Sequence, residues 1–412
     1  MASITLFHAT PAIPSRLDLT PAEAASRLRH LPGLVFFDSA KADGESISII
    51  AAAPVETIRG NVATDWPRLQ AAIAKRRTGA VRDDGLPHGF AAGWMGYDGE
   101  FCFGIYEEAL FFRHGVQQWF EMGDLTSRMA PERPAHCQRP HFIPQSSPAE
   151  FCAAVAKAQE YIAAGDIYQV NLSHRFTAAW SGEPWAFYEA LRHYSPAPHG
   201  SFIDLGGRTV LSTSPELFLK MSGRSIRTRP IKGTRPRRSD PMADEKSAFD
   251  LITSPKEVSE LIMITDLQRN DLGQVCDYGT VAVPELLKLE RHEQVFHLVS
   301  TVEGRLRAGI DHAAAIRACF PGGSITGAPK KRAMEIIAEL EARPRGLYTG
   351  SIGWIGFNEE SAFSITIRTV IIEGAEASFH VGAGIVADSV PEAEWQETLD
   401  KAAGILLAAE RV

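Results

Sequence analysis

"SAFSITIRTVIIEGAEASFHVGAGIVADS", residues 361–389, holds two apolar runs rich in β-branched residues, with the turn former Gly374 between them. Runs that follow one another so closely favour antiparallel pairing. A similar stretch, "RTVLSTSPELFLKMSG", occupies 208–223. Segments with helical periodicity alternate with these strands: "SPKEVSELIMITDLQRNDLG" (254–273), "GAPKKRAMEIIAELEA" (327–342) and "PEAEWQETLDKAAGILLAAERV" (391–412). In "SPAEFCAAVAKAQEYIAAGD" (147–166), Ser147 precedes Glu150 by three residues, the spacing of a helix capping box. Paired strands with separate helices predict an α+β fold rather than a doubly wound parallel sheet. The proline- and histidine-rich stretch 129–151 is the best candidate for a boundary.

Composition narrows the function classes. The 412 residues carry 45% hydrophobic and 22% charged side chains, as soluble globular proteins do. A net charge of -8 and the absence of a long basic block argue against nucleic-acid binding. No apolar run is long enough to span a bilayer, so no membrane role is expected. The five cysteines (Cys102, Cys137, Cys152, Cys276, Cys319) are scattered and form no CxxC pair, which fits a reducing, cytoplasmic location. The opening "MASITLFHATPAIPSRLDL" lacks the cationic and apolar regions of a secretory signal.

Several groups could carry chemistry. Glu257 and Glu260, and likewise Glu394 and Glu397, are spaced by three, which puts each pair on one helix face. Such pairs also occur as plain solvated faces. Here Glu260 runs into the apolar "LIMITDL", and Glu394 follows the glycine-bearing "GAGIVADS". Hard oxygen ligands from two helices suit Mg²⁺. The glycine clusters at 380–385 and 321–335 allow backbone N–H groups to approach an anion, or simply make turns. Arg368 lies in an apolar strand, where it needs an anionic partner, either a protein carboxylate or a ligand. "TRPIKGTRPRRSD" (228–240) sets Lys232 between Pro230 and Gly233, a constrained backbone that could aim an amine.

Eight segments in order, "GDIYQVNLSHRF", "TSPELFL", "TRPIKGTRPR", "ELIMITDLQRNDLG", "HLVSTVEG", "PGGSITGAPKKRAMEII", "YTGSIGWIG" and "GAGIVADSVPEAEWQETLDKA", resemble the successive signatures of the chorismate-utilising enzymes. The resemblance is dense from about residue 145 to the end and thinner before it. It implies two large packed antiparallel β-sheets flanked by helices, the fold of anthranilate synthase component I. Residues 1–140 would then be an N-terminal subdomain integrated into that fold, and 145–412 the chorismate-binding catalytic part.

The resemblance also assigns roles. Glu260 and Glu397 would hold Mg²⁺, with Glu257 and Glu394 around them. Tyr348, Arg368, Gly382, Ala383 and Gly384 would hold a substrate carboxylate; Gly233, Thr234, Thr326 and Lys401 would line the pocket, and His297 would lie beside the ring. Glu216 would be the general acid. Gln169 stands where water-adding members use a lysine base, so ammonia is the expected nucleophile. Lys232 stands where anthranilate synthases carry alanine, and "PIKGT" is the form of the aminodeoxychorismate synthase component I branch. In that branch the lysine is a covalent nucleophile, and a pocket with a nearby cation would favour its neutral form. A separate glutamine amidotransferase subunit would supply ammonia. "FFDS" at 36–39 and Pro198, His199, Gly200 depart from the effector-binding elements of regulated anthranilate synthases. An anthranilate synthase with an unusual lysine and a catalytically silent chorismate-binding subunit remain as alternatives.

Overall fold

The structure, a computed structural model, describes residues 12–39, 46–78, 85–292 and 295–412. Residues 1–11, part of the stretch where no secretory signal is expected, lie outside this set. The stretch 361–389 forms antiparallel strands as its pattern predicts, but it divides them between two sheets. Glu360–Ile365 belongs to one sheet, while Thr369–Glu373 and Glu376–Ile385 pair with each other in the second. The chain changes sheets at 366–368, where Thr366 N–H donates to the Gly350 carbonyl at 3.0 Å and Arg368 adopts a φ of 49°. A positive φ is uncommon for a non-glycine residue and marks a sharp local constraint. Strand propensity alone does not reveal this break, because both halves are equally apolar.

Among the described residues the first sheet has ten strands. It runs from Ile231–Pro236 through Val295–Arg305, Ser225–Arg229, Leu217–Ser222, Glu360–Ile365, Ser351–Gly356, Phe90–Met95 and Glu100–Tyr106 to Glu56–Asn61, with Ala282–Arg291 beside Val295–Arg305. The second has twelve, and its centre is the ladder of Gln169–Ala179 with Glu376–Ile385. All of the ladders in both sheets are antiparallel. Early and late strands interleave: Val35–Asp38 pairs with His199–Asp204, and Phe90–Met95 with Ser351–Gly356.

Side-chain alternation explains the layers. Val35, Ile49, Phe111 and Val210 of the second sheet share a core with Phe90, Trp94, Tyr106 and Trp354 of the first. Their neighbours Phe36, Ile50, Leu110 and Leu211 turn the other way, against helices Pro21–Leu28, Pro184–Tyr194 and Pro391–Arg411. On the far side of the first sheet, Phe101, Phe103 and Ile355 pack with Trp66, Ile316 and Leu272. Both sheets are thus covered on both faces over much of their extent, which is why "GLVFFDSA" and "SISIIAAAP" read as continuous apolar runs. The capping box at Ser147 is present, with reciprocal bonds between Ser147 and Glu150. Segment 129–151 crosses the surface, pinned by Ile143–Pro144 against Gln169–Ala179 and by Phe142 in the core.

One buried ion pair ties this frame together. Arg345, 2% exposed, pairs with Glu341 at 2.7 Å and also donates to Ile325 O, Thr349 Oγ1 and Asn171 O. Glu341 in turn accepts from the Ser173 N–H at 2.8 Å. Removing one partner of such a pair strands the other charge in a dry interior. Arg345→Met is expected to destabilise the protein by about 3–5 kcal/mol in urea unfolding, and adding Glu341→Leu to recover part of the loss. A single variant with an unchanged unfolding midpoint would contradict this role.

Candidate active site

Lys232 lies on Ile231–Pro236, opposite Leu298, while Thr234 lies opposite the adjacent His297. Gly233 is therefore an extra residue in the ladder, a β-bulge of the kind that re-aims side chains. Its φ is +74°, and a Cβ there would lie 2.6 Å from Leu251 Cδ1 and 3.0 Å from Glu257 Oε2. Only glycine accommodates both demands. The bulge brings Thr234 Oγ1 to 3.0 Å from His297 Nδ1 and leaves Lys232 Nζ 3.7 Å from Glu260 Oε2.

Helix Pro255–Gly273 starts at the Ser254 N-cap and carries Glu257 and Glu260; helix Pro391–Arg411 carries Glu394 and Glu397. Glu260 is buried and accepts from Gln169 Nε2 at 3.0 Å. Glu394 is buried, accepts from Lys256 Nζ at 2.9 Å and Ser389 Oγ at 2.7 Å, and keeps Oε2 without a partner. Glu397 accepts from Lys401 Nζ at 2.7 Å. Burial pushes the Glu257 carboxyl up, and the charges of Glu260 and Glu397 push it further. Burial works the same way on Glu397, but Lys401, Lys256 and Lys232 outweigh it and hold that carboxyl low. The two helices therefore bring their carboxylates into one mutually repelling group, matched by lysines.

Among the described residues, no three carboxylate, histidine or cysteine side chains form a ready ligand shell. The donor set nevertheless suits a hard divalent cation: all-oxygen donors from two helices, mutual repulsion and a buried carboxylate oxygen lacking a partner.

Glu216 precedes strand Leu217–Ser222 and is buried, with Oε1 unpartnered. Burial raises its carboxyl to about 7, against the pull of Ser324, Lys232 and Lys401. The Ser324 hydroxyl lies close enough to oppose the shift without completing a hydrogen bond. A carboxyl poised near neutrality can give and take a proton.

A cavity of about 1300 Å³ between the sheets is lined by Thr234, His297, Arg368 and Lys401, and extends to Asp38, His199 and Gly200. At that far end Arg192 pairs with Asp38 at 2.7 Å. Arg368 makes no ion pair among the described residues, and burial alone lowers its affinity for its proton, so its guanidinium offers donors to an anion in the cavity. Tyr348 stacks on His380 at 5.2 Å, and burial pushes its phenol up to about 12. Its hydroxyl would lie 2.7 Å from a Cβ at Gly382, so glycine is needed there.

Lys401 donates to the Gly382 carbonyl at 2.8 Å. In an antiparallel strand the N–H and C=O of one residue point the same way, so the amides of Gly382 and Gly384 face the gap left where Thr369–Glu373 parts from this strand after Ser378. Ala383 points its backbone toward Leu172 instead. Thr326 is fully buried, with its hydroxyl committed to the Gly322 and Gly323 carbonyls. Gly327 serves close packing, since a Cβ there would lie 2.2 Å from the Gln169 carbonyl. At the start of helix Lys330–Leu340, Lys330 pairs with buried Asp271 at 2.7 Å.

The structure thus brings together Lys232, Thr234, His297, Glu216, Glu257, Glu260, Glu394, Glu397, Arg368 and Lys401. Three further groups belong with them: Gln169 on Glu260, Lys256 on Glu394 and Ser324 beside Glu216. Gln169 is the residue that the resemblance places where water-adding members carry a lysine, and here its amide bonds Glu260. Lys256 and Ser324 carry no signal of their own.

Comparison with known proteins adds an independent line. The family described as chorismate binding enzyme matches residues 34–407. The chain is 45% identical over 278 residues to an anthranilate synthase component 1 of Haloarcula marismortui, covering 68% of this chain and 55% of that protein. It is 37% identical to the aminodeoxychorismate synthase component 1 of Escherichia coli, covering 94% and 95%. The matched stretch spans only 52% to 62% of the length of the first curated relatives. Among solved structures, anthranilate synthase component I from Streptococcus pneumoniae superposes with a TM-score of 0.78 at 28% identity, covering 89% of this chain and 93% of that one.

The titration of Glu216 predicts a trade between stability and activity. Its folded value of about 7 lies above the ordinary 4.5, so the stability gained from holding its proton is complete below about 4.5 and lost as pH rises through about 7. Glu216→Gln stays neutral throughout. Its melting temperature relative to the unsubstituted protein is expected to rise between about pH 5 and pH 8, while turnover collapses. A relative stability that does not change with pH would show that Glu216 titrates normally.

Proposed function

The chain belongs to the chorismate-binding enzyme family, and from that premise we propose that it aminates chorismate at C4 to give 4-amino-4-deoxychorismate, the reaction of an aminodeoxychorismate synthase component 1. The observation that carries this reading is the bulge that turns Lys232 toward Glu260, in a space whose charge is also felt by Glu216. A lysine held there by a glycine-dependent backbone is placed for a task beyond solvation.

In the proposed mechanism the Lys232 amine bonds to C2 of the ring while the C4 hydroxyl leaves and the double bond shifts. Protonated Glu216 gives that hydroxyl its proton, so water departs. Ammonia then bonds to C4, Lys232 leaves C2 as the double bond shifts back, and the Glu216 carboxylate takes the proton that the new C4 ammonium sheds. Atoms balance as chorismate plus ammonia to product plus water. Lys232 Nζ lies 3.7 Å from Glu260 Oε2, so a cation on Glu260 would also stand beside the amine. Mg²⁺ held by Glu260 and Glu397, with Glu257 and Glu394 around it, would supply that charge and grip a ring carboxylate. Arg368 and the amides of Gly382 and Gly384 bind a carboxylate, and His297, oriented by Thr234, lies beside the ring. Ammonia would come from a glutamine amidotransferase subunit, in keeping with the "component 1" in the names of the relatives.

The 45% identity to an anthranilate synthase component 1 favours a second reading, with anthranilate as product. Incubation with chorismate, Mg²⁺ and an ammonium salt separates the two. Aminodeoxychorismate is expected, detected as p-aminobenzoate only after a lyase is added; direct anthranilate would sink the first reading.

Chorismate without ammonia should leave a covalent adduct on Lys232, visible as added intact mass and mapped to the "PIKGT" peptide. Lys232→Ala should lose the adduct and most of the turnover. Wild-type rates without any adduct would remove the covalent route. EDTA treatment, Glu260→Gln or Glu397→Gln should each abolish turnover without unfolding the protein. Near-normal activity of either variant in Mg²⁺ buffer would show that the carboxylates are not metal ligands.

A further inference from the structure

Strand Gln169–Ala179 presents Gln169, Asn171 and Ser173 on one face, while Val170 and Leu172 pack in the core on the other. Each of the three polar side chains keeps a buried atom without a hydrogen-bond partner: Gln169 Oε1, Asn171 Nδ2 and Ser173 Oγ. Buried polar atoms rarely go unpaired, so three in alternate positions of one strand need an explanation.

The neighbouring strand shows what this face looks onto. Asn171 lies opposite Gly384 and Ser173 opposite Gly382, and residues directly opposite in an antiparallel ladder share a face. A Cβ at Gly382 would lie 2.7 Å from Tyr348 Oη and 3.1 Å from Ser173 Cβ. One at Gly384 would lie 2.4 Å from Gln169 Nε2 and 3.5 Å from Glu260 Oε2. The two glycines therefore leave a floor of bare backbone, walled by Tyr348 and Glu260 and edged by the three orphaned side chains. Asn171 is also near enough to the Tyr348 hydroxyl to counter the rise in its titration. Its backbone is fixed on both sides, by its N–H on the Thr326 carbonyl at 2.9 Å and by Arg345 on its own carbonyl. Only the carboxamide is left uncommitted.

We propose that Asn171 is a substrate-binding residue whose carboxamide NH₂ donates, beside the Tyr348 hydroxyl and with Ser173 as a second donor, to a carboxylate oxygen of the bound substrate over Gly382 and Gly384. This rests on the reading of the chain as a chorismate-converting enzyme. A carboxamide presents a donor or an acceptor according to which way it is turned, and an anionic ligand selects the donor edge. Because the carboxylate persists through the reaction, the contact is made equally in ground and transition states. Its loss therefore raises KM and leaves kcat nearly unchanged.

The test compares Asn171→Leu, Asn171→Asp and Ser173→Ala by steady-state kinetics with chorismate and ammonium, by equilibrium titration of chorismate with ammonia withheld, and by melting temperature. Asn171→Leu should raise KM and Kd on the order of 10–100-fold, the usual loss for a hydrogen bond to a charged group. Asn171→Asp, nearly isosteric but anionic, should raise both further, and Ser173→Ala by a few fold. Melting temperatures should stay near that of the unsubstituted protein. If Asn171→Leu and Asn171→Asp both keep KM and Kd within about twofold, or lose stability and kcat with no change in KM, the inference is overturned while the parent reading stands. A wild-type protein that neither binds nor converts chorismate would overturn both together.

Discussion

Four carboxylates and three ammonium groups meet in one space that runs from buried Glu260 and Glu394 to half-exposed Lys256, Glu397 and Lys401, and each set offsets the charge of the other. Charges drawn out of water need partners: Lys232, Lys256 and Lys401 pair with Glu260, Glu394 and Glu397, while burial, and after it the charges of Glu260 and Glu397, lift the Glu257 carboxyl. The positions of helices Pro255–Gly273 and Pro391–Arg411 and of the bulged strand Ile231–Pro236 are therefore tied to one another by electrostatics as much as by packing. A divalent cation entering this set would exchange partners with the lysines rather than fill an uncharged hole.

Around this charged centre the apolar frame is closely packed. Both sheets are covered on both faces over much of their extent, and Arg345 with Glu341 fastens the loop at Ile325, the turn at Thr349 and the edge at Asn171 and Ser173. The glycines at 233, 382 and 384 are the points where this frame comes closest to the polar groups, and each excludes a side chain for a stated contact. Close packing in the frame holds a small number of donors and charges in place.

Much of this was legible in the sequence. Adjacent apolar runs around Gly374 indicated antiparallel sheet, and the three-residue spacing of Glu257 with Glu260 and of Glu394 with Glu397 put carboxylates on helix faces. The prolines and glycine around Lys232 signalled a constrained backbone. What could not be read is long-range. The run 361–373 gives no sign that it leaves one sheet for the other at Arg368, because both halves have the same propensity. Thr326 resembled a pocket residue, yet its hydroxyl is spent on the Gly322 and Gly323 carbonyls. Lys256 and Ser324 join the site through contacts with residues 138 and 108 positions away, and no local pattern encodes such distances.

The interleaving of early and late strands has a consequence for how the chain comes into being. Phe90–Met95 pairs on one edge with the nearby Glu100–Tyr106 but on the other with Ser351–Gly356, and Val35–Asp38 likewise pairs with the nearby Ile47–Ala51 and with the distant His199–Asp204. During synthesis the first hundred residues emerge with strand edges that nothing nearby can cover. Neither sheet closes until the segment around 351–385 has left the ribosome. The nascent chain thus spends most of its synthesis with open, apolar edges, the condition in which association with other chains competes with folding and in which chaperones act. The pairings of Val35–Asp38 with His199–Asp204 and of Phe90–Met95 with Ser351–Gly356 carry strands from before residue 140 into the same sheets as strands from after it.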